Sequence, residues 1–409
     1  MENIEDIFPF GKNMISAGGI TMNILFITDP TPVGGATNAL IMLTKQLKAK
    51  GCNITVCVSG TPELKARLEG CGIKTVDTGH IPAMVHYPRS VLKAVVKRIL
   101  FTAMRSSYNL SLAIKKVERA VDLSSIDIIY TNSARSDLGC LLAKKYGKPH
   151  IIHLREFGVE DYGCMFLRRD YYSFLNRSSR CFVAVSDAVK ESWTVKGLNS
   201  RKIVRIYDGI DTEAVIPRMS RNKEGRPLRA VIVGGILPAK GQHICIKALR
   251  ALPKEIRENV YLDIIGWEYP YYRVYLDRLI DRYGLKEQVR FLGIKDGVGD
   301  ILCNYDIGLM ASRSEGFGLV TAEYMTAGLC VIASNSGANP ELISDGVNGL
   351  LFERDDFKAL ARCIADLYHN REKLEKLAAN GRERALKEFD IEVCANRIYK
   401  LCTEELRRK

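Results

Sequence analysis

Short runs of β-branched and aliphatic residues alternate with longer amphipathic stretches, and the pattern runs through the chain twice. In the first half the apolar runs fall at 23–28, 54–58, 73–77, 127–131, 150–154 and 181–185, with helical stretches such as 35–50 and 135–146 between them. The pattern restarts at Arg229-Ala230-Val231-Ile232-Val233-Gly234. Further runs follow near 261–266, 289–292, 306–310 and 329–333, with helical stretches near 241–251, 270–283, 318–327 and 355–369. Such alternation predicts parallel strands joined by crossover helices, an α/β fold with two doubly wound, Rossmann-like domains. The 409 residues suit two units of roughly 150–200 residues each. Pro217 to Pro227 is polar and charged, with little apolar content, and is read as a linker. The expected layout is an extension over 1–21, a first domain over 22–216, a linker over 217–227 and a second domain over 228–375. A charged helical segment over 376–409 then packs back toward the first domain. Two such domains in succession make a cleft between the carboxyl ends of their sheets, where ligands bind in folds of this kind.

Composition narrows the class. Half-apolar, quarter-charged content is that of a globular protein, at 47% hydrophobic and 26% charged. No apolar run is long enough to span a bilayer, and Glu2, Glu5 and Asp6 spoil the start as a secretory leader, so a cytoplasmic location is expected. The twelve cysteines include no Cys-x-x-Cys pair and sit mostly in apolar runs, as Cys57 and Cys330 do, which favours reduced, buried thiols. Net charge is +13, and residues 81–120 supply much of it, with eight Lys/Arg against Glu118. There Leu92, Val95, Val96, Ile99 and Leu100 recur at helical spacing, while Lys93 and Lys97 lie on another side. This is either a basic amphipathic helix for an anionic membrane surface or a helix with its apolar face on the core and a solvated basic back. Nucleic acid is not an expected partner, because no binding motif accompanies the charge.

Three loops carry chemistry. Gly34-Gly35 follows the opening strand and can aim backbone amides at an anion, or can be a tight turn. It is not the full dinucleotide fingerprint, so a nicotinamide cofactor is not expected. The second half repeats the device in Gly234-Gly235-Ile236-Leu237-Pro238-Ala239-Lys240-Gly241, where Lys240 can meet a phosphate, or simply lie on a surface loop; the order is not that of a P-loop. The most informative loop is Ser312-Arg313-Ser314-Glu315-Gly316-Phe317-Gly318-Leu319, which opens a helix ending at Gly328. The amides of Phe317, Gly318 and Leu319 and the helix dipole favour a diphosphate there. Glu315 precedes the helix, within reach of a sugar hydroxyl. Glu323 lies within it, placed for a ribose diol, since carboxylates take charge-assisted hydrogen bonds from paired hydroxyls.

The spacing of Glu315 and Glu323 resembles the Glu-x₇-Glu signature of family-4 retaining glycosyltransferases, which have the two-domain GT-B fold. The likeness extends over Phe182–Ser186, Ile203–Asp211, Val289–Gly293, Gly337–Glu341 and Asp345–Leu350, and His153–Gly158 is similar to bacterial surface-polysaccharide members. The resemblance implies transfer of a hexose from a nucleotide diphosphate sugar, a UDP-sugar being the expected donor, to an acceptor hydroxyl. Lys240 would neutralise the departing diphosphate, with Gly34 and Gly35 closing from the other domain. Gly316 would lie beside it, Glu315 would hold the sugar, Glu323 the ribose, and Gly293 and Ile294 would face the base. Relatives commonly carry an arginine where Gly235 stands, so leaving-group charge would rest on Lys240, the helix amides and an arginine such as Arg155. The catalytic position of the first domain falls to His153, with Arg155 or Glu156 as alternatives. No Asp-x-Asp occurs, so neither metal nor other cofactor is expected. The expected acceptor is a saccharide or lipid-linked saccharide, at the inner face of a membrane. The rival readings are a nucleotide-sugar epimerase and a non-catalytic sugar-nucleotide-binding subunit.

Overall fold

The computed structural model describes residues 21–30, 34–86, 91–105, 109–158, 163–219, 226–295 and 297–408. Residues 1–20 of the extension and 220–225 of the linker lie outside them.

The first domain contains β1 (Asn23–Ile27), β2 (Asn53–Val58), β3 (Lys74–Asp77), β4 (Met84–His86), β5 (Ile128–Thr131), β6 (His150–Leu154), β7 (Cys164–Phe166), β8 (Cys181–Ala184) and β9 (Ile203–Arg205). The second contains β10 (Leu228–Val233), β11 (Val260–Ile265), β12 (Val289–Gly293), β13 (Ile307–Met310), β14 (Cys330–Ser334) and β15 (Leu350–Phe352). Among the described residues they form a parallel seven-stranded sheet, β3-β2-β1-β5-β6-β8-β9, and a parallel six-stranded sheet, β12-β11-β10-β13-β14-β15. β4 and β7 make a small antiparallel pair. Helices cover both faces of each sheet, so central strands such as β5, β6, β8 and β14 are buried throughout and read as continuous apolar runs. The strand order reverses between β1 and β5 and again between β10 and β13. These two switch points open on the cleft.

The domains share one core. Phe317 of the second domain packs against Tyr207 and Phe389, at centroid distances of 5.6 Å and 5.5 Å, and all three rings are buried. The chain crosses between domains twice, side by side: Ile210 N–H donates to Phe389 O at 2.9 Å and Ile391 N–H to Ile210 O at 2.8 Å. Gly209 is needed at that crossing because any Cβ would run into the backbone of Ile391. After the crossing, the helix Ile391–Arg407 returns to the first domain. It buries Cys394, Ile398, Leu401 and Cys402 against the side chains of β1, β2 and the helix Gly35–Ala49. The described ends of the linker are pinned to the second domain, Arg218 to Glu375 at 2.6 Å and Arg226 to Asp306 at 2.6 Å. All twelve cysteines are free, and burial pushes the thiols of Cys57 and Cys330 up to about 12.

The basic helix, Val91–Met104, turns out with its apolar side to solvent: Leu92, Val95, Val96, Ile99, Leu100 and Met104 are all exposed. Ala94 faces the protein instead, and Arg98 Nε donates to Leu167 O at 2.9 Å. The alternative with the apolar face on the core is therefore overturned. No described helix is long and apolar enough to cross a membrane.

Candidate functional site

At the β10–β13 switch point, Lys240 Nζ and Glu315 Oε1 lie 2.5 Å apart. Backbone geometry brings them together. Lys240 ends the tight turn Pro238–Lys240, and Gly241 follows at φ 74°, so close to Ala311 O that only hydrogen fits there. Arg313 N–H donates to Ala239 O at 2.9 Å, which ties the turn to the loop leaving β13. That loop is held from its other side. Ser334 Oγ donates to Ser312 O at 2.6 Å, and Ala338 N–H to Glu315 O at 2.9 Å. The Glu315 carboxylate is thus fixed by its backbone rather than left on a free loop.

The helix Leu319–Thr326 starts immediately after this loop. Gly318 sits at φ 91°, the left-handed region, which turns the chain into the helix and leaves its first amides without helical partners. Gly316 passes directly over the carbonyl of Arg155 from the first domain, where a side chain would collide. The Phe317 side chain points away from the cleft into the interdomain core, so only its amide is available to a ligand. Glu323 lies on the next turn, partly exposed, and burial alone raises its carboxyl to about 7. Tyr324, beside it, places its hydroxyl 2.7 Å from Val233 N, which donates to it at the end of β10.

The first domain contributes the opposite wall. Gly34 precedes the helix Gly35–Ala49; its N–H donates to Thr37 Oγ1 at 2.7 Å, and that hydroxyl donates back to Gly34 O at 2.9 Å. Gly35 faces Leu319 closely enough that a Cβ would stand 3.3 Å from its Cδ1. The start of each domain's first cleft helix therefore meets that of the other. At the carboxyl end of β6, Arg155 Nε donates to Asn132 Oδ1 at 3.0 Å and Nη1 to both oxygens of Asp208, at 2.6 Å and 2.5 Å. Its Nη2 is buried and has no partner among the described residues. Glu156 accepts from Ser133 Oγ at 2.6 Å and is also nearly buried.

His153 lies behind this layer, with no exposed surface. Its Nδ1 shares a 2.9 Å hydrogen bond with Tyr130 Oη, and its Nε2 lies 3.9 Å from Asp208 Oδ1. Burial, then the Arg155 charge, holds the imidazole well below its usual pKa, so it is neutral. In this arrangement the ring has no surface open to the cleft, while Arg155 and Glu156 lie in front of it.

Gly235 departs from positive φ, so the backbone does not demand glycine there. What demands it is Trp267: a Cβ at 235 would stand 2.7 Å from Cε2 and 2.8 Å from both Cζ2 and Nε1 of that indole. Gly293 ends β12 at φ 68°, and Ile294 after it is exposed. Sequence reasoning did not single out Asn132 and Asp208, which hold Arg155, or Trp267, which covers Gly235. Asp208 lay within a segment already marked by resemblance, whereas nothing in the spacing of Trp267 linked it to Gly235. Among the described residues no group of His, Cys, Asp or Glu is arranged to hold a metal ion.

Comparison with known proteins agrees with the two-domain fold. The family model described as Glycosyltransferase Family 4 matches residues 33–214, and that described as Glycosyl transferases group 1 matches residues 217–384. An uncharacterized glycosyltransferase of Methanocaldococcus jannaschii is 29% identical over 299 residues, 71% of this chain and 79% of that protein. The lipopolysaccharide core biosynthesis glycosyltransferase LpsE of Rhizobium meliloti is 26% identical over 228 residues, 55% of this chain and 64% of its own length. Among solved structures, Anabaena HepE in complex with UDP superposes with a TM-score of 0.76 at 22% identity, over 94% of this chain and 100% of that one. With one family model on each half and the two-domain architecture between them, the chain belongs to the family-4 glycosyltransferases and has the GT-B fold.

Proposed function

We propose that this glycosyltransferase moves a hexose from a UDP-sugar to a hydroxyl of a saccharide or lipid-linked saccharide, with retention and without a metal. The observation that carries the reading is the Lys240–Glu315 pair at the start of the helix Leu319–Thr326, over the β10–β13 switch point. As the glycosidic bond breaks, negative charge grows on the leaving diphosphate. Lys240 and the amides of Phe317, Gly318 and Leu319 are fixed beforehand where that charge develops, which is the most effective way for a protein to lower such a barrier. Gly34 and Gly35 close over the diphosphate from the other domain, and Gly316, bare against the Arg155 carbonyl, lets the two walls of the cleft come close. Glu315 accepts hydrogen bonds from sugar hydroxyls, Glu323 from the ribose, and the backbone at Gly293 and Ile294 meets the base. Arg155 offers its unpartnered Nη2 and Glu156 lies beside it, with His153 positioning the Arg155–Asp208 pair from behind. UDP in the Anabaena fold relative and lipopolysaccharide in the Rhizobium relative support the donor and acceptor classes.

The reading is tested by thermal shift with a panel of UDP-, GDP- and ADP-sugars, followed by turnover with the stabilising donor. UDP-sugars are expected to stabilise, and Glu315→Ala to lose turnover by at least a hundredfold with its fold intact, a loss on the scale of a fixed electrostatic group. Activity should persist in excess chelator. Stabilisation by no nucleotide would sink the reading, and binding without turnover would leave an accessory subunit.

The exposed apolar side of Val91–Met104, flanked by Lys93, Lys97 and Arg98, supports peripheral attachment to an anionic membrane surface at the inner face. Cosedimentation with vesicles containing anionic lipid is expected, and neutralising those three cations should weaken it. Sedimentation indifferent to both lipid charge and those substitutions would remove the proposal.

A further inference from the structure

Trp267 begins the loop that leaves β11. Gly266 before it stands at φ 148° and donates from its N–H to Gly293 O at 2.9 Å, so the ends of β11 and β12 are joined there. Trp267 O accepts from Ile236 N–H at 2.7 Å, which joins β11 to the loop leaving β10 as well. The backbone is therefore fixed on both sides. The indole lies against the bare Cα of Gly235 along its Nε1–Cε2–Cζ2 side, while the residue stays 52% exposed. Its N–H makes no hydrogen bond with any described residue. An unburied tryptophan backed by a glycine that exists to make room for it is a platform with a free surface.

Its place along the sheet says what the platform meets. The Lys240 stem passes over Gly234, next to the glycine that Trp267 covers; a Cβ at 234 would stand 3.9 Å from Lys240 Cδ. Glu315, on the loop after β13, lies on the far side of Lys240 from the indole. Adjacent strands are about 4.8 Å apart, so β11 lies about 10 Å from β13. That is the span from a diphosphate through its ribose to the base. Tyr324, next to Glu323 in the helix Leu319–Thr326, reaches the end of β10, the strand between β11 and β13.

We propose that Trp267 is a donor-recognition residue, whose indole stacks on the nucleobase of the sugar nucleotide. The inference rests on the donor-site reading above, and adds that base affinity here comes from an aromatic ring occupying the space a side chain at 235 would otherwise take. Stacking of a base on an aromatic ring is sequence-tolerant and strong enough to change affinity about tenfold.

The chain has two tryptophans, and Trp193 is fully buried with its Nε1 donating to Glu156 O at 2.8 Å. Quenching of emission by iodide therefore reports on Trp267. UDP and uridine are expected to protect it from iodide, and inorganic pyrophosphate is not. By calorimetry, Trp267→Ala should weaken UDP about tenfold and leave pyrophosphate unchanged, while Trp267→Phe stays within about threefold of the parent. Gly235→Ala, which forces the indole aside, should reproduce the loss. Equal UDP affinity for the parent and Trp267→Ala would overturn the inference and leave the donor site standing. An equal loss for pyrophosphate would also overturn it, since the ring would then act on the diphosphate or the fold. If no nucleotide binds the parent protein, the donor-site reading itself falls.

Discussion

Lys240 and Glu315 neutralise each other in a contact that a donor would have to open. In the proposed reading a diphosphate draws Lys240 Nζ, and a sugar hydroxyl draws Glu315 Oε1, from a contact now 2.5 Å long. Glu323 has a different problem. Its carboxyl is raised to about 7 by burial, against 4.5 for an ordinary glutamate, so between those pH values the folded chain holds a proton that the unfolded chain has lost. Folding stability from this group is therefore greatest below about pH 4.5 and falls as pH rises to about 7. A ribose diol donating to the carboxylate favours the ionised form, so UDP affinity should climb with pH up to about 7 and then level off. Glu323→Gln should flatten that slope, as measured by calorimetry in buffers from pH 5.5 to 8.5. A slope unchanged in the variant would take Glu323 out of the ribose site.

Elements place these groups more than propensity does. The helix Leu319–Thr326 is short and buried nearly all round, so its sequence shows no amphipathic stripe, and its position follows from the Gly318 turn at φ 91°. Gly318→Ala puts a Cβ into the left-handed region at a cost of about 1–2 kcal/mol. The expected result is a lower thermal midpoint together with weaker UDP binding, because the first-turn amides shift. Weaker stability with unchanged UDP affinity would show that those amides do not hold the diphosphate. The buried Arg155–Asp208 pair sits at the end of β6 in the same way. Asp208→Asn leaves a guanidinium without its counter-charge, and the loss should be about 3–5 kcal/mol, read from chemical denaturation. The loops that carry Lys240 and Glu315, and the helix that carries Glu323, were legible in the sequence because each follows a strand end and a glycine. The burial of His153 was not legible for a physical reason: strand alternation gives a side chain's face, but whether that face is cleft or core depends on what Tyr130 and Arg155 pack over it.

At the scale of the molecule, the two domains are joined by more than the paired chain crossings. Glu341 of the second domain accepts from the N–H groups of Asp187 and Ala188 at 2.7 Å each, capping the first-domain helix Asp187–Val195 from outside. Helix starts favour a negative charge, so the carboxylate fits both by hydrogen bonding and by the dipole. Glu341→Gln should loosen the pairing of domains by about 1–2 kcal/mol. A larger radius of gyration in small-angle scattering and a lower thermal midpoint are expected. No change in either would mean that Phe317, Tyr207 and Phe389 hold the domains without Glu341.

Period and turn chemistry determined the two parallel sheets, the restart at Arg229 and the loops bearing Lys240 and Glu315, because a strand's burial and a glycine turn are local properties. The exposure of the apolar side of Val91–Met104 was not local. Both orientations satisfied the pattern, and only the packing of Ala94 and Arg98 against the first domain decided between them. The same holds for Gly235, whose vacancy of side chain reads as a turn residue in sequence and is explained only by an indole that arrives from a strand more than thirty residues away. Which groups face one another across a cleft depends on strand order and domain closure, and those are set by long-range packing rather than by any spacing along the chain.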